Sequence, residues 1–317
     1  MADKIYKETT LTDYFSQKSD TPNLHKIKVK SVLNKHEKKD SWFLENYTLN
    51  PYSGCSFNCI YCYIRGSHYG GNKTHKISVK SNAAEILLKQ IKNRAKNKEY
   101  GIIAMASSTE PYPILEEKLG LTRELLRIIA RFRFPVNILT KSSLVLRDMD
   151  ILKKINENAI IPDDLRPQLI SGAIVSFSFS TPDEDIAKIF EPNAPSPKER
   201  LETMQKFKKE GFKVGINFMP VLPFLADSEK KIEKMVVLAK NYGADYILTA
   251  GLTLFGGEEN DCKTVYYNTL EKHFPELLEP TKKLFGKMFY PNPKYQRELT
   301  ERANKLCKKY EIKNKII

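Results

Sequence analysis

The chain is poor in cysteine, in tryptophan and in long apolar runs, and each shortage removes a class of protein. Five cysteines, an odd number with three crowded together, argue against a disulfide framework. A reducing, cytoplasmic setting is expected instead. No apolar run reaches the roughly 18 residues of a membrane-spanning helix, so no membrane partner is expected. The opening residues, Met1-Ala-Asp-Lys-Ile-Tyr-Lys-Glu8, lack the apolar core of a secretory signal. Internal repeats, low-complexity tracts and flexible linkers are absent. Hydrophobic residues are not scarce: at 41% they suffice for a sizeable core and exclude a disordered chain.

Acids are the minority charge. Lysine and arginine total 52 against 38 aspartates and glutamates, a net charge of +14. Lysines gather between Lys26 and Lys39, at Lys73, Lys76 and Lys80, and from Lys305 to Lys315. A basic footprint of this size suits a polyanion such as DNA or RNA, although lysines on solvated faces give the same count.

The cysteines that do occur are informative. Cys55, Cys59 and Cys62 fall in Asn50-Pro-Tyr-Ser-Gly54-Cys55-Ser-Phe-Asn-Cys59-Ile-Tyr61-Cys62-Tyr63, whereas Cys262 and Cys307 are far away. Cysteine thiolates, usually four, hold iron–sulfur clusters. Three at this spacing would hold three irons of a [4Fe–4S] cluster and leave the fourth open to a non-protein ligand. Gly54 lets the backbone approach a cluster closely, and the Tyr61 ring could lie beside whatever binds the open iron. A zinc site with His68 as fourth ligand is the competing reading, but zinc ligands usually come as two separated pairs. Three inert thiols are the remaining one.

Around this stretch runs a strand–helix rhythm. Strands are expected at 47–51, 101–106, 135–139, 174–179, 212–218 and 245–249. Helices are expected after Asn82, which would cap the first, at 122–132 and 148–155, after the Ser196-Pro-Lys-Glu199 capping box, and at 228–241. Alternating βα units imply a parallel sheet flanked by helices, here a partial (β/α)6 TIM barrel, with chemistry at the carboxyl ends of its strands. Residues 1–45 read as an N-terminal extension pinned by Trp42 and Phe43, with an edge strand at 26–30. Residues 46–260 read as the barrel and 261–317 as a helical region packing on it. Past the strand ends stand Ser107-Ser-Thr109-Glu110, Thr140-Lys141-Ser-Ser143, Ser178 and Asn217. Hydroxyls, a lysine and a carboxylate there suit a zwitterionic, ribose-bearing ligand, although serines also satisfy backbone groups in tight turns.

Four motifs carry a family resemblance. Asn50-Pro-Tyr-x-Gly-Cys…Tyr61-Cys-Tyr63, Thr109-Glu-Pro-Tyr-Pro…Thr122-Arg, Thr140-Lys-Ser-Ser-Leu-Val-Leu-Arg-Asp148 and Glu191-Pro-x-Ala-Pro-Ser-Pro-x-Glu-Arg200 resemble the spore-photoproduct-lyase-like, DNA-repair-photolyase-like family of radical S-adenosylmethionine (SAM) proteins. The resemblance covers residues ~46–255. It implies a radical SAM barrel, a [4Fe–4S] cluster on the three cysteines, and SAM on the open iron. It also implies reductive cleavage of SAM to a 5′-deoxyadenosyl radical, with electrons from a reductant such as flavodoxin or ferredoxin. Carried over residue by residue, it places Lys141 on the SAM carboxylate, Ser178 on its ribose and Tyr61 near its adenine; Thr109 or Glu110, by its position past the second strand, is expected at the ammonium. The substrate it suggests is a nucleic acid or nucleotide. The alternatives are a radical SAM enzyme modifying a protein or peptide, and a non-catalytic, zinc-stabilised nucleic-acid-binding protein. One departure matters: the lyase keeps a hydrogen-donating cysteine after strand two, where this chain has Ala106-Ser107-Ser108-Thr109. Tyr63, Tyr69 or Cys262 is then the expected radical relay.

Alanine at Cys55, Cys59 or Cys62 is therefore expected to abolish the brown reconstituted cluster and all SAM cleavage, while alanine at Cys262 or Cys307 should leave the cluster intact. Iron and sulfide analysis of anaerobically reconstituted variants checks this, and a Cys59→Ala variant cleaving SAM at the normal rate would sink the assignment.

Overall fold

The computed structural model describes residues 24–67 and 77–317. The first part of the expected extension, and His68, Tyr69, Lys73 and Lys76, lie outside them. In chain order the strands are β1 (His25–Ile27), β2 (Leu33–Lys35), β3 (Glu45–Leu49), β4 (Tyr52–Ser53), β5 (Ser78–Lys80), β6 (Ile102–Met105), β7 (Val136–Thr140), β8 (Ala173–Phe179), β9 (Lys213–Val221) and β10 (Tyr246–Gly251). The α-helices are α1 (Ala83–Lys96), α2 (Glu116–Leu119), α3 (Leu121–Phe132), α4 (Met149–Asn158), α5 (Glu184–Phe190), α6 (Pro197–Lys209), α7 (Glu229–Asn241), α8 (Cys262–His273), α9 (Pro275–Phe285) and α10 (Pro293–Lys309).

The main sheet runs β10-β9-β8-β7-β6-β3-β2. Each pair from β3 through β10 is parallel, so six strands point their carboxyl ends the same way, as the βα rhythm requires. The sheet stays open because β2 and β10 do not pair: β2 closes one edge antiparallel to β3. At the other edge the Ile247 N–H donates to the Lys313 carbonyl at 2.9 Å, so the end of the chain covers β10. The expected edge strand at 26–30 forms as the shorter β1, beside β5 in a small second sheet.

Local chemistry explains the helix ends. Ser196 accepts from the Glu199 N–H at 3.2 Å ahead of Pro197, while the Glu199 carboxylate turns to the Ser143 hydroxyl, so only half of the capping box forms. Asn82 holds the N-cap position of α1, but its side chain bonds the N–H and carbonyl of Val29 instead, both at 2.9 Å. Trp42 is exposed, whereas Phe43 packs on the core.

Side chains of the parallel strands alternate between two cores. Ile103, Ile138, Val175, Phe177 and Ile216 join the large core between sheet and helices. Ile102, Ile174, Tyr246 and Leu248 join a smaller one with Leu44, Leu165, Leu169 and Ile316. These residues lie towards the amino ends of their strands, so the second core plugs the floor of the barrel. Ser176 lies 2.8 Å from Asn137 Oδ1 and 2.5 Å from the Tyr246 hydroxyl, joining three strands across the interior. Above this floor, two residues farther along β8 and β9, stand Ser178 and Asn217, paired in register.

Gly215 faces the Tyr246 ring so closely that an added Cβ would come within 2.2 Å of it. Because the tyrosine is held by Ser176, the ring cannot simply swing away. Gly215→Ala is expected to lose about 1–3 kcal/mol of stability through overpacking, seen as a lower urea midpoint with an unchanged denaturant slope.

Candidate active site

The cysteine loop leaves β3 at its carboxyl end and is shaped before any metal is considered. Tyr52, fully buried, donates to Glu116, and the Lys80 ammonium donates to the Asn50 carbonyl at 2.7 Å. Gly54 turns the chain with φ of 82°, a left-handed conformation that costs glycine little. Cys55, Cys59 and Cys62 then follow as free thiols, Cys59 buried and the others half-buried. The Phe57 N–H points at Cys55 Sγ, 3.4 Å away. Burial pushes the Cys59 thiol up to about 12, against the pull of Lys141 and Arg200. Burial, with Glu110 nearby, raises Cys55 further still. Metal binding at such thiols would have to release their protons.

Three donor thiols on one rigid loop fit an iron–sulfur cluster. Among the described residues no three His, Cys, Asp or Glu side chains converge on a point that one metal ion could hold. His68, the fourth ligand of the zinc reading, lies outside the described residues.

The strand ends bring most of the expected residues to this loop. The Lys141 ammonium lies 5.8 Å from the centroid of the Tyr61 ring. Burial alone would lower its pKa, but its neighbours Cys59, Glu191 and Glu110 outweigh burial and hold it above the ordinary lysine value. Glu110 is buried and accepts from Thr140, from the Tyr112 N–H at 3.1 Å and from the Lys141 N–H at 3.0 Å. Burial still raises it above the usual carboxylate range. Thr109 donates to Asn50 Oδ1 at 3.1 Å, in a turn where Ala106 is left-handed at φ of 62°. Ser178 offers its hydroxyl at the end of β8 while its carbonyl is held by Arg200 at 2.9 Å.

The two expected relays differ. Tyr63 is exposed, and its hydroxyl donates to the Ser107 carbonyl at 2.9 Å, inside the loop after β6. Cys262 sits behind the loop, its N–H 3.4 Å from the Arg65 carbonyl. Its sulfur is fully buried against the backbone of Phe255, which accepts from the thiol at 3.5 Å. Burial raises that thiol to about 11.

Sequence reasoning gave no role to Glu191, Arg200 or Asn217. Glu191 and Arg200, both almost fully buried, form an ion pair whose carboxylate also takes the Tyr61 hydroxyl and, at 2.9 Å, the Ser180 hydroxyl. Burial would raise Glu191, but Arg200 and Lys141 outweigh it and hold it below the ordinary value. The one hint was that both residues bound the proline-rich motif at 191–200. Asn217 Oδ1 is buried beside Ser178 with no hydrogen-bond partner among the described residues, which no sequence pattern signals. A cleft of about 750 Å³ opens on the outer side of the loop, lined by Phe57, Ile114, Leu144 and Asn193. Neither Lys141 nor Ser178 lines it, so it lies beside the strand-end site.

Comparison with known proteins agrees with this architecture. The family model described as the Radical SAM superfamily matches residues 49–236, well over half the chain. An uncharacterized protein of Mycobacterium tuberculosis is 26% identical over 294 residues, covering 91% of this chain and 81% of that one. A spore photoproduct lyase of Clostridium acetobutylicum is 26% identical over 192 residues, 59% of this chain and 49% of the lyase. Among solved structures, a spore photoproduct lyase mutant with bound AdoMet and dinucleoside spore photoproduct superposes with a TM-score of 0.63. It is 16% identical, and the match covers 98% of this chain and 85% of that one. At that identity the likeness is one of fold.

Lys141→Ala is expected to weaken SAM binding about ten- to a hundredfold, the worth of one charge-assisted contact, and Ser178→Ala by less. Equilibrium binding to the reconstituted protein measures both, and normal affinity in Lys141→Ala would make the lysine purely structural.

Proposed function

The chain belongs to the radical SAM superfamily and is an enzyme, and from that premise we propose that its substrate is a nucleic acid or nucleotide. The cofactors are a [4Fe–4S] cluster and SAM, which together, when bound and given one electron by a reductant, would supply a hydrogen-abstracting radical. In this reading Cys55, Cys59 and Cys62 hold the cluster. Lys141 meets the SAM carboxylate, Thr109 or Glu110 its ammonium and Ser178 its ribose, and Tyr61 walls the adenine side. A low-potential reductant such as flavodoxin or ferredoxin is required. No helix among the described residues is long and apolar enough to cross a membrane.

The observation that carries the substrate class is the net charge of +14 on a chain sharing its fold with a lyase that binds a dinucleoside lesion. Several lysines of the basic stretches are paired with acids. Lys35, Lys39, Lys305 and Lys309 are engaged with Glu99, Asp164, Glu229 and Glu233. Binding should therefore rest on fewer phosphate contacts than the lysine count suggests, with a correspondingly modest salt slope.

A hydrogen donor is still needed. Serine and threonine O–H bonds in the loop after β6 are too strong to replace a thiol. Tyr63 is the better placed relay, because its hydroxyl already rests on that loop at Ser107. Cys262, sealed against Phe255, is the weaker one.

Reconstituted protein given reductant and SAM should release 5′-deoxyadenosine slowly alone and faster with DNA or RNA, the stimulation falling as salt rises. Stimulation by peptides and not by oligonucleotides would replace this substrate class with a protein. Dinucleotide spore photoproduct should not turn over cleanly. Where the substrate radical takes a hydrogen from the protein, Tyr63→Phe should keep 5′-deoxyadenosine release while lowering the yield of that product; efficient thymine recovery without Tyr63 and Cys262 would overturn the relay.

A further inference from the structure

Three of the four residues 190–193, which run from the last residue of α5 towards α6, bond to the cysteine loop. The Phe190 carbonyl accepts from the Ile60 N–H at 2.9 Å. Glu191 takes the Tyr61 hydroxyl. The Asn193 N–H donates to the Phe57 carbonyl at 3.3 Å, and its side-chain amide to the Ser56 carbonyl at 3.1 Å. These contacts reach the loop on both sides of Cys59 without touching a sulfur atom.

The most buried of them is ionic. Glu191 and Arg200 are 2% and 1% exposed. A buried ion pair is a weak source of stability compared with apolar residues of the same volume, so its presence points to another task. Its geometry suggests which. One carboxylate oxygen is shared by Tyr61 and Ser180, and the other faces Arg200. Arg200 is itself fixed by the carbonyls of Pro195 at 2.7 Å and Ser178 at 2.9 Å. Tyr61 stands between Cys59 and Cys62, so fixing its hydroxyl fixes the span that separates the two thiols.

We propose that residues 190–193 template the cysteine loop, with Glu191 as the positioning residue that holds the Cys59–Cys62 span in its ligand arrangement before iron arrives. This rests on the three thiols being the iron ligands. The segment contributes no ligand; it narrows the conformations that the loop must lose on binding iron and slows the opening that releases it.

The test compares iron loss from anaerobically reconstituted full-length variants to a chelator, followed by the decay of the visible absorbance of the cluster. Tyr61→Phe removes one hydroxyl and leaves the Glu191–Arg200 pair whole. Tyr295→Phe is the matched control: it removes a buried hydroxyl that donates to Asp227 at 2.8 Å, away from the loop. The template predicts that Tyr61→Phe releases iron about tenfold faster than the parent, while Tyr295→Phe releases it at the parental rate with a comparable loss in thermal midpoint. Asn193 is exposed, so Asn193→Ala should fold normally and release iron about fivefold faster, the loss of one neutral hydrogen bond. Equal release rates in Tyr61→Phe and Tyr295→Phe, or parental release in Asn193→Ala, would overturn the template with the iron assignment intact. A Cys59→Ala variant that kept its cluster would instead overturn the iron assignment, and the template with it.

Discussion

A single buried carboxylate, Glu191, joins the parts of this site that sequence distance keeps apart. It meets Tyr61 of the cysteine loop, Ser180 just past β8 and Arg200 of α6. Burying such a charge unpaired would be prohibitive, and the guanidinium and two hydroxyls offset the loss of water. Arg200 carries the constraint onward by holding the carbonyl of Ser178, whose hydroxyl stands at the strand end. Loop, strand end and helix are thus set by one hydrogen-bonded group.

The rest of the barrel serves the same end. Apolar side chains and the Asn137–Ser176–Tyr246 triad fill its floor, while Ser178 and Asn217 leave a polar level above. A second, partly buried network braces the outer wall. Arg147 bonds Glu116 at 2.6 Å and Asp148 at 2.9 Å, and Arg123 bonds Asp148 and Asp150, each at 2.9 Å. Glu116 also receives Tyr52, at the entrance to the cysteine loop. The Thr122-Arg and Leu146-Arg-Asp148 motifs are therefore explained by support of the site and not by contact with a ligand.

Charge is read differently in three dimensions than in one. The lysine-rich stretch on α10 faces α7, where Lys305 and Lys309 meet Glu229 and Glu233. Exposed pairs of this kind add little stability, but they lower the field the protein presents to a polyanion.

Much was legible in the sequence because its signals are local. The cysteine spacing marks the candidate cluster loop, since donors that share one short loop must lie close in sequence. Strand–helix alternation marks the parallel sheet, since side-chain periodicity is set by the backbone alone. Capping was half legible: Ser196 caps as its type suggests, but Asn82 and Glu199 are drawn to Val29 and Ser143, neighbours that no local pattern names. The same holds at the site. Lys141 could be placed at a strand end by counting, yet its ring contact with Tyr61 and its charged neighbours depend on how strands twist together. The sequence by itself determined the six parallel strands, most of the helices between them, their order and the cysteine loop. Only the tertiary structure decided which charges are buried together, that Glu191 holds Tyr61 across 130 residues of chain, and that the Asn217 amide oxygen is left unpaired beside Ser178. A buried polar group is defined by what surrounds it, and those surroundings come from segments distant in sequence.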